Sequence, residues 1–312
     1  MHLRRLAATA TALACMALAG ACAGDDLADD DDSSKDAKGS VTLSSQDFPE
    51  AALVTAMYAG VLSDAGYDVQ PKLVGSRSVY MREFPGSVDI VPEYVAGISD
   101  YLNTAANGPD AEPITTNEPS ESIEAASALL DDAGITLLEP SEATSQNAYF
   151  VTEEYAEAND VQALSDLAGK QVVLAAAPDC EGREDCEKGL REVYDIDVTK
   201  LLPLGFGSAE TYRAVLDGEA QLGQTGTLDG TLEEQGLVLL EDDKGIQPAQ
   251  NLVPAVSTEF LEANPEVGDR LRELMAKLDN DTLAPLINEV SANRAKPEDV
   301  AQQFLSDSGL VG

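Results

Sequence analysis

Residues 41–53 read Val-Thr-Leu-Ser-Ser-Gln-Asp-Phe-Pro-Glu-Ala-Ala-Leu, and a change of period within them decides the fold. Val41-Thr-Leu-Ser-Ser45 has the character of a short strand. Leu53, Met57 and Val61 then recur at helical spacing on one face, so a helix is expected to run to about residue 65 and to stop at Gly66. Asp47 and Glu50 stand at the spacing of a capping box with Asp in the cap position. A strand feeding a helix is the opening unit of an α/β chain.

Outward from this unit the pattern continues. Residues 69–74 read as a strand broken by Pro71, residues 78–84 as helical, and Val88-Asp-Ile-Val91 as a buried strand ending at Pro92-Glu93-Tyr94. A helix at 120–133 and a strand at 135–138 follow. From Asn147 the alternation starts again, with strands expected at 148–151, 172–176, 201–204, 220–224 and 237–240. Helices fall between them, for example at 209–216, and Asp166-Leu-Ala-Gly169 closes a short one. Past Leu252-Val-Pro-Ala-Val256 the chain is expected to be helical at 267–278, 282–293 and 297–305. Strands and helices alternating in this way predict an α/β fold with largely parallel sheets, arranged as a two-lobe, periplasmic-binding-protein-like molecule with a central ligand cleft. Lobe I is expected to hold residues 41–146 and 250–312 and lobe II residues 147–249. The chain should cross near residues 144–147 and 244–251.

The first forty residues have another character. Arg4 and Arg5 precede an apolar run over 6–19, and small residues lead to Cys22. This is a secretory signal over residues 1–21, too short to span a bilayer as a stable anchor. Cys22 resembles the lipidated cysteine of a bacterial lipobox, with Ala19 where a larger aliphatic residue is usual. Cleavage without lipid, or use of Cys15 inside the apolar run, are the alternatives. Residues 22–40 carry a run of aspartates and little that could be buried, which reads as an acidic disordered tether.

Composition excludes several functions. The chain has 19 Lys and Arg against 57 Asp and Glu, a net charge of −38, and such a body repels nucleic acid. Its single histidine is His2, which leaves with the signal peptide, so the mature chain has no imidazole for a catalytic triad or a metal. Close acid pairs such as Asp242–Asp243 and Glu153–Glu154 are expected in so acidic a sequence and read as solvated surface. No cofactor motif is present: Gly205-Phe-Gly207 lacks the third glycine of a phosphate-binding loop. Cys180 and Cys186, five residues apart in an oxidising compartment, suggest a local disulfide, and a zinc site would need two further soft ligands. Three of the nine tyrosines, Tyr94, Tyr149 and Tyr212, stand where strands or helix starts meet loops, the positions that face a cleft in α/β lobes. Half-buried packing is the competing role for each.

These segments together resemble the substrate-binding proteins of ABC importers for glycine betaine, proline betaine, choline and carnitine. The likeness spans residues 41–312. It rests on Ser44-Ser-Gln-Asp-Phe-Pro-Glu50, Val88-Asp-Ile-Val-Pro-Glu-Tyr94, Pro178-Asp-Cys-Glu-Gly-Arg-Glu-Asp-Cys186, Gly207-Ser-Ala-Glu-Thr-Tyr212 and Leu239-Leu-Glu-Asp-Asp-Lys-Gly245. The resemblance implies an aromatic box around a trimethylammonium head, with Tyr94, Tyr149 and Tyr212 in the box and Asn147 beside it. It implies Arg183 as partner of a carboxylate tail. Three positions depart from the family pattern: Gln46 replaces a lysine, Gly97 a threonine, and Gly226 a further box tyrosine, whose place Tyr80 or Phe206 could fill. Gln46 is retained as a ligand contact.

The resulting expectation is a binding protein with no enzymatic activity and no cofactor. It is lipid-anchored at the outer face of the bacterial cell membrane and hands a small quaternary amine to an ABC permease. The same fold binding a neutral or aromatic molecule, and a lipid-anchored hydrolase, are the rival readings.

Overall fold

A computed structural model describes residues 38–109 and 111–312. The expected signal peptide over 1–21, the expected lipidation at Cys22 and all but the last residues of the expected tether fall outside the described residues. Among the described residues ten strands are formed: β1 (Ser40–Gln46), β2 (Asp68–Val74), β3 (Ile90–Tyr94), β4 (Ile135–Leu137), β5 (Asn147–Thr152), β6 (Gln171–Ala176), β7 (Asp197–Pro203), β8 (Leu222–Gly226), β9 (Leu237–Leu240) and β10 (Leu252–Ser257). The α-helices are α1 (Pro49–Asp64), α2 (Arg77–Tyr80), α3 (Val95–Asn107), α4 (Pro119–Ala133), α5 (Glu153–Asn159), α6 (Glu187–Glu192), α7 (Ala209–Leu216), α8 (Thr258–Ala263), α9 (Pro265–Met275), α10 (Asn280–Ser291) and α11 (Pro297–Asp307).

The strands form two five-stranded sheets, ordered β2-β1-β3-β10-β4 and β7-β6-β8-β5-β9. The sheets are mixed rather than largely parallel. In the first, β10 runs antiparallel to β3 and β4; in the second, β5 runs antiparallel to β8 and β9. The cause is the route of the chain. β5 and β10 are each entered directly from a crossing, so each begins where its neighbour ends: Asn147 pairs with Gly226 and Leu252 with Tyr94. The ends of β3 and β8 are thereby held at the crossing. The two crossing segments lie side by side, with an antiparallel bridge between Thr144 and Asn251 and a hydrogen bond from Ser145 N to Gln250 O of 3.0 Å. The Asn280 amide, at the start of α10, donates to the carbonyls of Thr144 and Thr227 at 3.1 Å each.

Two local expectations are corrected, and one helix is added. Helix α1 is capped by Phe48 in an extended conformation with no side-chain bond, and Asp47 N instead continues the ladder to Val74 O at 2.8 Å. Pro49, pre-set for the first helical position, fixes the start in place of the capping box. Pro71 does not break β2, because β2 is an edge strand and the missing N–H leaves no ladder bond unmade. Helix α3 was not legible in its small and β-branched residues. It is held instead by burial of Val95, Ile98 and Ser99 and by Asp100, whose carboxylate accepts from Ile114 N and Thr115 Oγ1 at 2.9 and 2.7 Å.

Each sheet is covered on both faces. Leu53, Met57 and Val61 of α1 pack with Leu271 of α9 and Leu305 of α11 on one face of the first sheet, and Ile98, Ala126 and Leu130 cover the other. In the second sheet the two-residue period of β5 sends Tyr149 to the face that holds the cysteines and Phe150 to the opposite face, beneath α7.

Candidate functional site

A cavity of about 480 Å³ opens at the crossing, between the ends of the two sheets. Glu50 from α1 and Ile287 from α10 bound it on the side of the first sheet. Arg183, Asp185, Phe206, Tyr212, Gly226 and Asp229 bound it on the side of the second, and the crossing segments supply Ser145, Asn147, Gln247 and Gln250.

Tyr212 sits one turn into α7, whose start is capped by Ser208 Oγ accepting from Thr211 N at 3.1 Å. Its ring packs on Phe150, centroids 5.3 Å apart, and its hydroxyl donates to Asp229 Oδ2 at 2.5 Å. Burial, and then the bond to Asp229, push the phenol up to about 12, so it remains a donor. Asp229 also accepts from Thr225 Oγ1 at 2.7 Å and from the backbone and hydroxyl of Thr231 at 3.1 and 2.7 Å. Every one of these donors is neutral.

Arg183 and Asn147 reach the cavity, but through partners. Arg183 Nε and Nη2 donate to the two oxygens of Asp185 at 2.8 and 2.5 Å, and Nη1 donates to Asp179 at 3.0 Å. Asn147 Nδ2 donates to Asp185 Oδ2 and to Gln247 Oε1, both at 3.1 Å. Gln247 Nε2 in turn donates to the Asp185 carbonyl at 2.7 Å. The loop carrying Arg183 and Asp185 is closed by the Cys180–Cys186 disulfide, and both cysteines are fully buried.

Tyr94, Tyr149 and Gln46 are not on the cavity wall. Tyr149 is 1% exposed, with its hydroxyl donating to the Asp185 carbonyl at 3.1 Å. Its place in strand β5 turns the ring into the core, one layer behind Asp185. Tyr94 donates to Glu50 Oε1 and so stands behind that carboxylate. Gln46 ends β1 without bordering the cavity.

Glu50 and Asp229 border the cavity without a reading as ligand contacts in the sequence; Glu50 lies inside the opening motif at helix-cap spacing. Its carboxylate accepts from Tyr94 and from Ser145 Oγ at 3.1 Å, and burial raises it above the usual carboxylate range, an effect these two hydroxyls offset only in part. Phe206 is 51% exposed and is flanked by Gly205 and Gly207, both at positive φ. That backbone is open to glycine and lifts the intervening ring out of the lobe. At Gly226 a Cβ would make only ordinary van der Waals contact, 3.4 Å from Phe206 Cζ. Gly97 is more tightly enclosed. A Cβ there would come within 2.4 Å of Arg77 Nη2, and Arg77 is itself paired with buried Glu93 at 2.8 and 3.0 Å. Tyr80 donates to that same Glu93 and is buried away from the cavity.

Two α/β sheets joined by paired crossings, with a polar and aromatic cavity between them, define the class of two-lobe solute-binding proteins. The model of one family, described as the substrate binding domain of ABC-type glycine betaine transport systems, matches residues 39–307, and the chain belongs to that family. It is 27% identical over 175 residues to a glycine-betaine-binding protein of Pseudomonas aeruginosa, covering 53% of this chain and 56% of that one. It is 28% identical over 167 residues to the ergothioneine transport permease/ergothioneine binding protein EgtU of Helicobacter pylori, covering 51% of this chain and 29% of that one. The chain thus spans about half the length of the first relative and under a third of the second. In structure it is similar to apo YehZ from Escherichia coli, with a TM-score of 0.74 and 24% identity over 87% of this chain and 99% of that one.

Proposed function

We propose that the protein is an extracytoplasmic solute-binding protein that captures a small quaternary-ammonium osmoprotectant, of the betaine and choline class, and delivers it to an ABC permease. The observation that carries this reading is the cavity wall. Two aromatic side chains, Phe206 and Tyr212, share one space with two carboxylates, Glu50 and Asp229. A quaternary ammonium ion is attracted to aromatic faces and to carboxylates but has no N–H to donate, and cation–π contacts reach about 2 kcal/mol each when desolvated. Because the wall comes from both sheets, a ligand touches both lobes and favours their closure, with the paired crossings as hinge.

In this reading Tyr212, Arg183 and Asn147 border the ligand, while Tyr94 and Tyr149 set the positions of Glu50 and Asp185 from behind. Gln46, at the end of β1, does not border the cavity and is not assigned a ligand contact. Residues 1–21 serve as the export signal, and lipid on Cys22 holds the protein at the outer face of the membrane. Among the described residues no helix is long and apolar enough to cross one. Incorporation of labelled fatty acid, lost in Cys22→Ser, tests the anchor.

The ligand is tested by thermal melting of the purified protein against glycine betaine, choline, carnitine and neutral aromatic solutes. Stabilisation that rises with concentration as mass action requires, confined to quaternary amines, supports the reading. Stabilisation by neutral aromatic solutes alone transfers it to the rival ligand class, which the exposed ring of Phe206 also suits. Turnover of any solute on long incubation favours a hydrolase.

A further inference from the structure

We infer that the cleft selects cations that carry no carboxylate, choline-like rather than betaine-like, and that Glu50 and Asp229 make the selection. The inference rests on the quaternary-ammonium reading above and narrows it.

Among the described residues Arg183 is the one basic side chain on the cavity wall, and its charge is already met. Asp185 takes two of its N–H groups in a fork and Asp179 takes a third, the geometry in which guanidinium and carboxylate bind most strongly. Arg77, the next cation of the first lobe near this end of β3, is held by Glu93 in the same forked manner. Neither is available to the tail of a zwitterion without giving up a formed ion pair. With glutamine at 46, the opening segment offers no further cation.

Glu50 and Asp229 are in the opposite condition. Among the described residues neither is in an ion pair. Their partners are hydroxyls and a backbone N–H, so their charge is solvated by the protein but not neutralised. One comes from each lobe, and both face the space bounded by Phe206 and Tyr212. A monocation between them meets opposite charge from both lobes. A zwitterion brings its own carboxylate into the same enclosure, where like charges repel more strongly than in water. A hydroxyl tail meets no such repulsion and finds Ser145 and Asn147 on the wall.

Isothermal titration of the full chain at neutral pH with choline and with glycine betaine tests this. Choline is expected to bind at least tenfold more tightly. Glu50→Gln and Asp229→Asn, each checked for an intact thermal transition, should bring the ratio towards one by weakening choline while betaine is unchanged or tightened. Equal or tighter binding of betaine by the wild-type chain overturns the inference and leaves the quaternary-ammonium reading standing. So does a ratio that neither variant moves. Binding of neither ligand by the folded protein overturns both.

Discussion

Phe206 lies beside the bare backbone of Gly226: its Cζ stands 3.4 Å from where a Cβ on Gly226 would lie, an ordinary van der Waals contact. Glycines on either side, both at positive φ, lift the Phe206 ring from the loop before α7 onto the cavity wall. The two positions adjoin, so a large side chain at 226 would share the wall with that ring.

Phe206→Ala should therefore weaken binding of a quaternary amine by about tenfold, the share of one partly desolvated cation–π contact. Gly226→Tyr in the wild-type background should also weaken it, by displacing the ring. The double variant Phe206→Ala/Gly226→Tyr should bind more tightly than the sum of the single losses predicts. Calorimetric affinities of the three variants decide this, and additive losses would separate the two positions.

Tyr212 and Tyr94 should be distinguishable by their conservative variants. Tyr212→Ala and Tyr94→Ala are each expected to cost at least tenfold in affinity. Tyr212→Phe keeps the ring on the wall and should lose little. Tyr94→Phe removes the hydroxyl that holds Glu50 and should lose most of what the alanine variant loses. Retained affinity in Tyr212→Ala would remove that ring from the binding site, and in Tyr94→Ala would show that Glu50 keeps its place without it.

Glu50 links ligand binding to pH. Its carboxyl is raised, chiefly by burial, so the folded apo protein holds that proton more tightly than the unfolded chain. Stability from this group is then present below the ordinary glutamate range and is lost as pH rises through the raised value. Tyr94 and Ser145 are the groups that bond to it, and Glu93 and Arg77 act on Tyr94 from behind. A cationic ligand favours the ionised form, so its affinity should fall as pH is lowered through the raised value. Glu50→Gln should flatten the profile, and above the raised value it should melt higher without ligand than wild type while gaining less from choline. A pH profile unchanged in Glu50→Gln would place the titrating group elsewhere.

The disulfide should matter to both stability and binding. Closing so short a loop restricts the unfolded chain by about 2 kcal/mol on the loop-entropy account, and the loop it closes carries Arg183 and Asp185. Cys180→Ala/Cys186→Ala should lower the melting temperature and weaken ligand binding together. Loss of stability with unchanged affinity would show that the network of Asn147, Gln247 and Tyr149 holds Asp185 by itself.

The sequence alone determined the alternation of elements, the two lobes and the pairing of Cys180 with Cys186, because each is a local matter. Periods of two and of about 3.6 record which face of a strand or helix is buried, and two cysteines five residues apart have few other partners. The likeness of five short segments carried the family. The tertiary structure decided what the cavity contains. Tyr149 lies at a strand start, as expected, yet the pleat of β5 turns it into the core and leaves Asp185 at the surface in front of it. Glu50 and Asp229 meet one space only because the crossings bring α1 and the loop after β8 together, and no local period records a charge that will face another across a cleft. Of the two side chains the sequence offered for the missing box position, Phe206 reaches the cavity because its two glycines lift it there, while Tyr80 is buried away from it. The direction of β5 and β10 likewise followed from the path of the chain between lobes, which strand patterns do not encode.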